Sequence, residues 1–225
     1  MVGNLSKYLK AMLLKQTLVL VLCLTASLAA VDYAPKDYSN LIGMKGFSDD
    51  LLKMHFQLYE GYVKNTNLLL NALQDFQSKN PLDSYEYGSL KRRLGWEFDG
   101  MRLHELYFEN LGGIGGMPSP QSSLNDALLK QFGSFEKWKS DFSTTALTRG
   151  IGWVILYQER STGRLVNAWI NEHDVGHLVT LRPILVLDVW EHAYLTQYGL
   201  NRTAYVQAFM DNINWNIVEK RIQAK

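Results

Sequence analysis

The chain has 225 residues, and its 23 Lys and Arg against 22 Asp and Glu give a formal net charge of +1 at pH 7. This balance gives no reason to expect nucleic acid or an anionic membrane surface as a partner. The only cysteine, Cys23, excludes a disulfide within the chain and a zinc site built on thiolates.

The N-terminal segment 1–30 has the pattern of a secretory signal peptide. A lysine-containing region precedes the apolar run "TLVLVLCLTASLAA", which ends in small residues. The run is shorter than the ~20 apolar residues that span a bilayer. We therefore expect cleavage near Ala29, a periplasmic or secreted protein, and no membrane contact after cleavage. The alternatives are an uncleaved leader that tethers the protein to a membrane, and an organelle leader.

Residues 31–115 are predicted to form an N-terminal domain, an antiparallel hairpin of two helices. The first helix is predicted to start at Ser48 as N-cap, because two aspartates and then apolar residues at three- and four-residue steps follow it. Asn80-Pro81 is expected to end it. The second helix is predicted over "SLKRRLGWEFDGMRLHELYFENL", before the linker "GGIGGMPSP".

Residues 116–225 are predicted to form a C-terminal domain with a small sheet. "SLNDALLKQFGSFEKWKSDFSTTALT" is predicted to be helical. The runs "GWVILYQER", "RLVNAWIN" and "PILVLDV" have strand composition, with "STG" as the turn between the first two, and two helical segments follow. The predicted class is therefore α+β: a helical hairpin followed by a three-stranded antiparallel sheet packed by helices.

Three histidines and one aspartate have the composition of a metal site. His55 and His104 lie in apolar stretches of the two hairpin helices, which would bring their imidazoles together. Asp188 closes an apolar strand, and His192 follows four residues later. A bound cation would remove the cost of burying this carboxylate unpaired. Three imidazoles and one carboxylate suit iron, manganese or zinc. The alternative is a hydrogen bond between Asp188 and His192 that joins the strand to the helix.

Three motifs resemble the iron/manganese superoxide dismutases. "DVWEHAY" matches the family signature D-x-W-E-H-A-[FY], "GIGWVIL" is similar to its G-S-G-W-x-x-L strand, and "FGSFEKWKSDF" resembles the segment before that strand. The resemblance extends from about Tyr33 to Ile222. It implies one iron or manganese ion per subunit and superoxide as the substrate, disproportionated to dioxygen and hydrogen peroxide.

The resemblance also implies roles for individual residues and for a second subunit. A homodimer is expected, with a tetramer as the alternative, in which a glutamate reaches a metal-ligating histidine of the other subunit. The residues with implied roles are the ligands His55, His104, Asp188 and His192, the cavity residues Trp153 and Trp190, and the bridging residue Glu191.

The first helix departs from the family in its spacing. The family places a gateway tyrosine eight residues after the ligand, in H-x-x-x-H-x-x-x-Y, whereas Tyr62 lies seven residues after His55. Seven residues are almost two α-helical turns, so both side chains share a face, whereas eight need a wider turn such as a π-bulge. We predict Tyr62 as the gateway tyrosine, with Tyr59 as the alternative.

Two polar residues of the family are missing together. Leu58 or Tyr59 stands where the family has the second histidine of that motif, and Leu195 stands where it has the tyrosine that contacts this histidine across the dimer. Because both partners of one hydrogen bond are absent, the loss is expected to be nearly neutral. The pattern indicates a modified interface.

The family places a glutamine near the metal-bound solvent from one of two positions. Gly100, four residues before His104, leaves the first position without a side chain, and His173 falls at the second. The resemblance implies that His173 hydrogen-bonds the solvent ligand and relays protons together with Tyr62. His177 is the weaker candidate and is expected to be a surface or loop residue.

Two other functions are compatible with these residues. The first is a dismutase-like fold retained as a non-catalytic metal-binding or interaction module, which would bind metal without turnover. The second is a mononuclear iron oxygenase. Such oxygenases use two histidines and one carboxylate, so a third histidine at the metal would exclude this class.

Overall fold

The computed structural model describes residues 32–79 and 82–222. The predicted signal peptide 1–30 and the predicted helix end at Asn80-Pro81 lie outside the described residues. Among the helices of this part of the chain, none combines the length and the apolar character needed to cross a bilayer.

Two long helices form the predicted hairpin. Helix α1 spans Asp49–Lys79 and helix α2 spans Tyr85–Glu109. Ser48 caps α1 as predicted, because its hydroxyl accepts a hydrogen bond of 3.2 Å from the backbone N–H of Leu51. Helix α1 is α-helical along its whole length, without the wider turn that an eight-residue spacing would need.

Helix α2 begins earlier than the sequence pattern indicated. The predicted start was Ser89, but Ser84 accepts a hydrogen bond from the backbone N–H of Tyr87 and caps the helix there. The apolar periodicity is weak in this first turn, so the cap decides where the helix starts.

The helical segment after the linker consists of two helices. They are α3, Ser123–Phe132, and α4, Phe135–Ala146. Gly133 separates them with φ of +86°, a left-handed conformation that only glycine adopts without strain, and the hydroxyl of Ser134 caps α4.

The three predicted strands form one antiparallel sheet. They are β1, Trp153–Glu159, β2, Leu165–Ile170, and β3, Leu181–Asp188, in the spatial order β2-β1-β3. Trp153 at the start of β1 lies directly opposite Asp188 at the end of β3. The register therefore places a tryptophan beside the aspartate that the sequence singled out.

The C-terminal region is split into short helices. A 3-10 turn, Glu191–Ala193, precedes α5, Leu195–Tyr198, α6, Arg202–Asp211, and α7, Trp215–Arg221. Residues 212–214 interrupt the segment that was predicted as a single final helix.

The hairpin and the C-terminal helices are hydrogen-bonded to β3, an edge strand of the sheet. Asn110, which follows α2, donates to the carbonyl of Val186 over 2.5 Å, and Arg221 on α7 donates to the carbonyl of Ile184 over 3.2 Å. These bonds join α2 and α7 to β3, the strand that ends at Asp188. The domain boundary expected between residues 115 and 116 stays a prediction.

Candidate metal centre

Four side chains from distant parts of the chain converge at one point. His55 lies on α1, His104 on α2, Asp188 at the end of β3 and His192 in the 3-10 turn. Each offers one donor atom, and these four atoms lie within 4.8 Å of one another. We call these four residues the ligand cluster.

The distances within the ligand cluster suit a single first-row metal ion. Oδ2 of Asp188 lies 3.2 Å from Nε2 of His55, 3.7 Å from Nε2 of His104 and 3.1 Å from Nε2 of His192. Since metal–nitrogen bonds are about 2 Å long, donors that share one ion lie about 3–4 Å apart.

Two imidazole nitrogens of the ligand cluster lack hydrogen bonds. Nε2 of His55 and Nε2 of His104 are buried and have no hydrogen-bond partner among the described residues. Leaving a buried polar atom unpaired costs about 1–3 kcal/mol. The alternative hydrogen bond between His192 and Asp188 is present at 3.1 Å, but it accounts for neither of these two atoms. A cation bound by all four residues would satisfy both of them.

The ring of His104 is held in the form that can bind a metal. Its Nδ1 lies 2.6 Å from the carbonyl oxygen of Gly100. A carbonyl can only accept, so Nδ1 carries the proton and the lone pair of Nε2 faces the cluster. Burial lowers the pKa of His104 well below its ordinary value and also lowers that of His55, so both imidazoles are neutral.

Asp188 is an ionised carboxylate in a fully buried position. Burial by itself would raise its pKa, but the attraction and hydrogen bonding of His192 outweigh burial and hold the pKa below its usual value. The backbone is fixed as well, since Tyr205 donates to the carbonyl of Asp188 over 2.7 Å, and Oδ1 accepts from the backbone N–H of Trp190 over 2.8 Å.

Tyr62 and His173 form a hydrogen-bonded pair beside the ligand cluster. The hydroxyl of Tyr62 lies 2.6 Å from Nε2 of His173, and the ring of Tyr62 stacks on His104 with centroids 5.1 Å apart. Trp153 donates its indole N–H to Nδ1 of His173 over 3.1 Å. Because Nδ1 accepts and burial lowers the pKa of His173 to about 4, the neutral ring carries its proton on Nε2 and donates it to Tyr62.

This arrangement uses both ring nitrogens of His173 for protein partners. The implied contact between His173 and the metal-bound solvent stays a prediction. The hydroxyl of Tyr62 still has its own proton to donate, and burial raises its pKa to about 12.

Tyr59, the alternative gateway residue, lies in a different environment. It is buried, donates to Oε1 of Glu105 over 3.1 Å and accepts from the backbone N–H of Lys36 over 3.0 Å. The structure therefore brings Tyr62, and not Tyr59, to His173.

Three tryptophans surround His173. Trp190 stacks on its ring with centroids 4.8 Å apart, and Trp153 lies edge-on to His104 at 5.1 Å. Trp96 also contacts His173, at 4.8 Å, and the sequence analysis missed it. Trp96 lies eight residues before His104 on α2, and no local spacing connects it with His173, so its contact depends on how α2 packs against the loop after β2.

His177 supports the loop that carries His173. Its Nε2 donates to the carbonyl of His173 over 2.6 Å, so its Nδ1 accepts from the hydroxyl of Tyr157 at 2.8 Å. The prediction of a loop residue agrees with this placement. Its two hydrogen bonds were not foreseen, although the four-residue spacing between the histidines was visible.

The residues expected at a subunit interface lie at the surface. Glu191 is exposed, Leu195 is 42% exposed, and the side chain of His192 is 23% exposed although its Nε2 faces Asp188. The side chain of His192 is therefore partly accessible from outside the chain.

An α+β fold that gathers three imidazoles and one carboxylate from its helices and its sheet defines a class of mononuclear metal proteins. Comparison with family models agrees with this class: the model for the C-terminal domain of iron/manganese superoxide dismutases matches residues 120–221. The match contains Trp153, His173, Asp188 and His192.

Individual relatives cover most of the chain. The chain is 34% identical over 180 residues to "Superoxide dismutase [Fe]" of Sulfolobus acidocaldarius, and the matched region covers 78% of this chain and 85% of the relative. It is 35% identical over 184 residues to the protein of the same name from Cupriavidus metallidurans, covering 80% and 91%. The chain belongs to the iron/manganese superoxide dismutase family.

Proposed function

We propose that this protein is a superoxide dismutase, which converts two superoxide anions and two protons into dioxygen and hydrogen peroxide. The observation that carries the proposal is the ligand cluster, a buried carboxylate with three imidazoles, two of which have unpaired Nε2 atoms. The names of the relatives support the same activity. The third histidine argues against the oxygenase alternative.

His55, His104, Asp188 and His192 would hold one iron or manganese ion. When bound, either metal alternates between its trivalent and divalent states, and so can accept an electron from one superoxide and give an electron to the next. The ionised Asp188 carries a negative charge in a fully buried place, which a cation bound by the four residues compensates.

Two residues beside the ligand cluster, Tyr62 and His173, hold protons near the site, and the tryptophans around them exclude water. The hydroxyl of Tyr62 accepts the Nε2 proton of His173, so its own proton is available to an acceptor in the cavity. Trp96, Trp153 and Trp190 pack around this pair. Aromatic walls lower the local dielectric constant and strengthen each electrostatic contact inside.

Reconstitution with single metals tests the activity. Protein stripped of metal would be reloaded with iron, manganese or zinc and assayed for superoxide turnover and metal content. Zinc has no redox chemistry, so it serves as the matched control. We expect turnover with iron, with manganese or with both, and none with zinc. Full iron and manganese loading without turnover would instead support the non-catalytic metal-binding module.

We also propose a homodimer, with a tetramer as the alternative, in which Glu191 contacts His192 of the partner subunit. The exposure of Glu191 and the partly exposed imidazole of His192 support this pairing. Sedimentation equilibrium would measure the assembly, and Glu191→Ala is expected to weaken it, whereas a comparable change at the exposed Glu136 on α4 is not. A monomeric wild-type protein would refute the proposal.

Export of the protein is a further proposal, which rests on the N-terminal pattern of segment 1–30. N-terminal sequencing of protein isolated from its source would test it. The expected mature chain begins close to Ala30 and is found outside the cytoplasm. An intact N-terminus in the membrane fraction would indicate a tether instead.

A further inference from the structure

We propose that Gly100 is a positioning residue of this site, because the absence of a side chain on α2 lets the ring of Tyr62 lie against the helix and reach His173. The inference deepens the proposed dismutase function and rests on it for its kinetic consequence. Its structural part, the contact between Gly100 and Tyr62, does not depend on the reaction.

The space beside Gly100 is already filled by Tyr62. A Cβ atom added to Gly100 would lie 2.6 Å from Cδ1 and 2.7 Å from Cε1 of the tyrosine ring. Carbon atoms in contact lie about 3.5–4.0 Å apart, so even alanine would displace the ring by about 1 Å. The glycine is buried in the interior of α2, where alanine would ordinarily favour the helix.

The ring of Tyr62 has little freedom to make room. It stacks on His104 with centroids 5.1 Å apart, and its hydroxyl is 2.6 Å from Nε2 of His173. A shift large enough to admit a Cβ would have to loosen one of these contacts. The carbonyl of Gly100 meanwhile accepts from Nδ1 of His104, so this residue contacts both the gateway tyrosine and a ligand.

The seven-residue spacing on α1 explains why the contact exists. Helix α1 is regular between His55 and Tyr62, so both side chains project towards α2 from one face. The ring of Tyr62 therefore occupies the volume that a longer side chain at position 100 would need. An amide side chain at position 100 and the ring of Tyr62 cannot occupy the same volume. With glycine at this position, the neighbour of the Tyr62 hydroxyl is His173.

The test compares Gly100→Ala with Gly88→Ala, a matched control on the same helix where an added Cβ meets nothing within 4 Å. Both changes are made in the wild-type protein and in a Tyr62→Phe background, with equal metal loading. We expect Gly100→Ala to lower kcat about 10-fold or more, since misplacing a catalytic group by about 1 Å has effects of this size. In the Tyr62→Phe background the same change should cost clearly less than in the wild type, because the hydroxyl that bonds His173 is gone although the ring still meets the added Cβ.

A second measurement reports on the tyrosine without turnover. In the apoprotein with ¹³C-labelled tyrosine, the NMR signal of Tyr62 should move in Gly100→Ala and stay in place in Gly88→Ala. An unmoved Tyr62 signal with full kcat overturns the inference, and so does an equal loss of kcat in both backgrounds. If the wild-type protein has no turnover, the proposed function fails while the NMR comparison still decides the role of Gly100.

A third variant covers failure of Gly100→Ala to fold. Replacing Tyr62 by alanine removes the ring that the new Cβ would meet. The double variant Gly100→Ala/Tyr62→Ala should then regain the folding and metal binding that Gly100→Ala lost. A double variant that stays unfolded, while Tyr62→Ala alone folds, would show that Gly100 matters for a reason other than Tyr62.

Discussion

Two clusters of buried polar side chains on α2 differ in how their polar atoms are satisfied. In the ligand cluster, Nε2 of His104 is buried without a hydrogen-bond partner, and so is Nε2 of His55. The next residue, Glu105, faces another side of the helix and is only 5% exposed, yet both of its oxygens have partners. We call this second group, around Glu105, the acidic cluster.

The acidic cluster is saturated by the protein itself. Glu105 accepts from the hydroxyl of Tyr59 over 3.1 Å and from Nη1 of Arg102 over 2.7 Å, and Nζ of Lys36 lies 3.3 Å from it. Lys36 also pairs with Glu109 at 2.8 Å. Nothing in this cluster calls for an additional ligand.

The two clusters differ in whether their buried polar atoms have hydrogen-bond partners. This difference, rather than residue type, distinguishes a binding site from a structural network. Each cluster contains a buried carboxylate, Asp188 or Glu105, and both clusters join α1 to α2. Of the two, only the ligand cluster contains buried ring nitrogens that lack a hydrogen-bond partner and lie close to one another. Proteins avoid such unpaired buried atoms unless something binds there.

Removal of the shared carboxylate should abolish function while the acidic cluster keeps its bonds. Loss of a residue that only supports a ligand typically costs about 10–100-fold in affinity or activity, so Asp188→Ala is expected to cost more than about 100-fold. Metal analysis and superoxide turnover measure the effect, with Asp126→Ala on α3 as a control. Undiminished turnover in Asp188→Ala would mean that the ligand cluster is not the reaction site.

Removal of the metal should lower stability through the ligand cluster alone. A ligand present at about 1,000 times its dissociation constant stabilises the native state by about 4 kcal/mol. For a chain of this size we expect Tm to fall by roughly 10 °C after chelation. Calorimetry of the wild type and of Asp188→Ala makes the comparison, because the variant should not respond to chelation. An equal response in both would place the stabilising metal elsewhere.

Glu105→Ala should reduce stability without changing metal content. Breaking a buried ion pair costs about 3–5 kcal/mol, and the partial exposure of Arg102 and Lys36 reduces our expectation to about 2 kcal/mol. Urea unfolding would measure this loss. Turnover per bound metal should stay at the wild-type value, and a loss of metal instead of stability would contradict the separation of the two clusters.

Lys36→Ala should have the smallest effect. The side chains of Lys36 and Glu109 are 48% and 34% exposed, so solvent screens their attraction. We expect a loss of less than about 1 kcal/mol, which shrinks further at high salt. Lys64→Ala, at an exposed position on α1, is the control in the same unfolding measurement. A loss of several kcal/mol would show that the acidic cluster depends on its exposed members.

Much of the fold could be predicted because its signals are local. The caps and apolar periodicity of α1, the β-branched runs of the three strands and the turn at "STG" all lie within a few residues of the structure that they specify. The breaks were harder. The interruption at Gly133 and the gap at residues 212–214 are short departures inside segments whose composition favours helix.

The site could be predicted in part for a related reason. The types and spacing of His55, His104, Asp188 and His192 pointed to one cluster, and the structure brings them together. The contacts of Trp96 with His173 and of His177 with Tyr157 were not predicted, because each joins elements distant in sequence.

Three properties can be read from the amino-acid order: which residues have metal-binding chemistry, which face of α1 carries His55 and Tyr62, and which family motifs the chain contains. These follow from side-chain type and from the fixed periodicities of helix and strand. The tertiary packing, in contrast, makes Tyr59 bond Glu105 while Tyr62 bonds His173, and it places the ring of Tyr62 in the space beside Gly100. Periodicity sets the direction of a side chain, but what it meets there depends on the packing of α2 and the loop after β2.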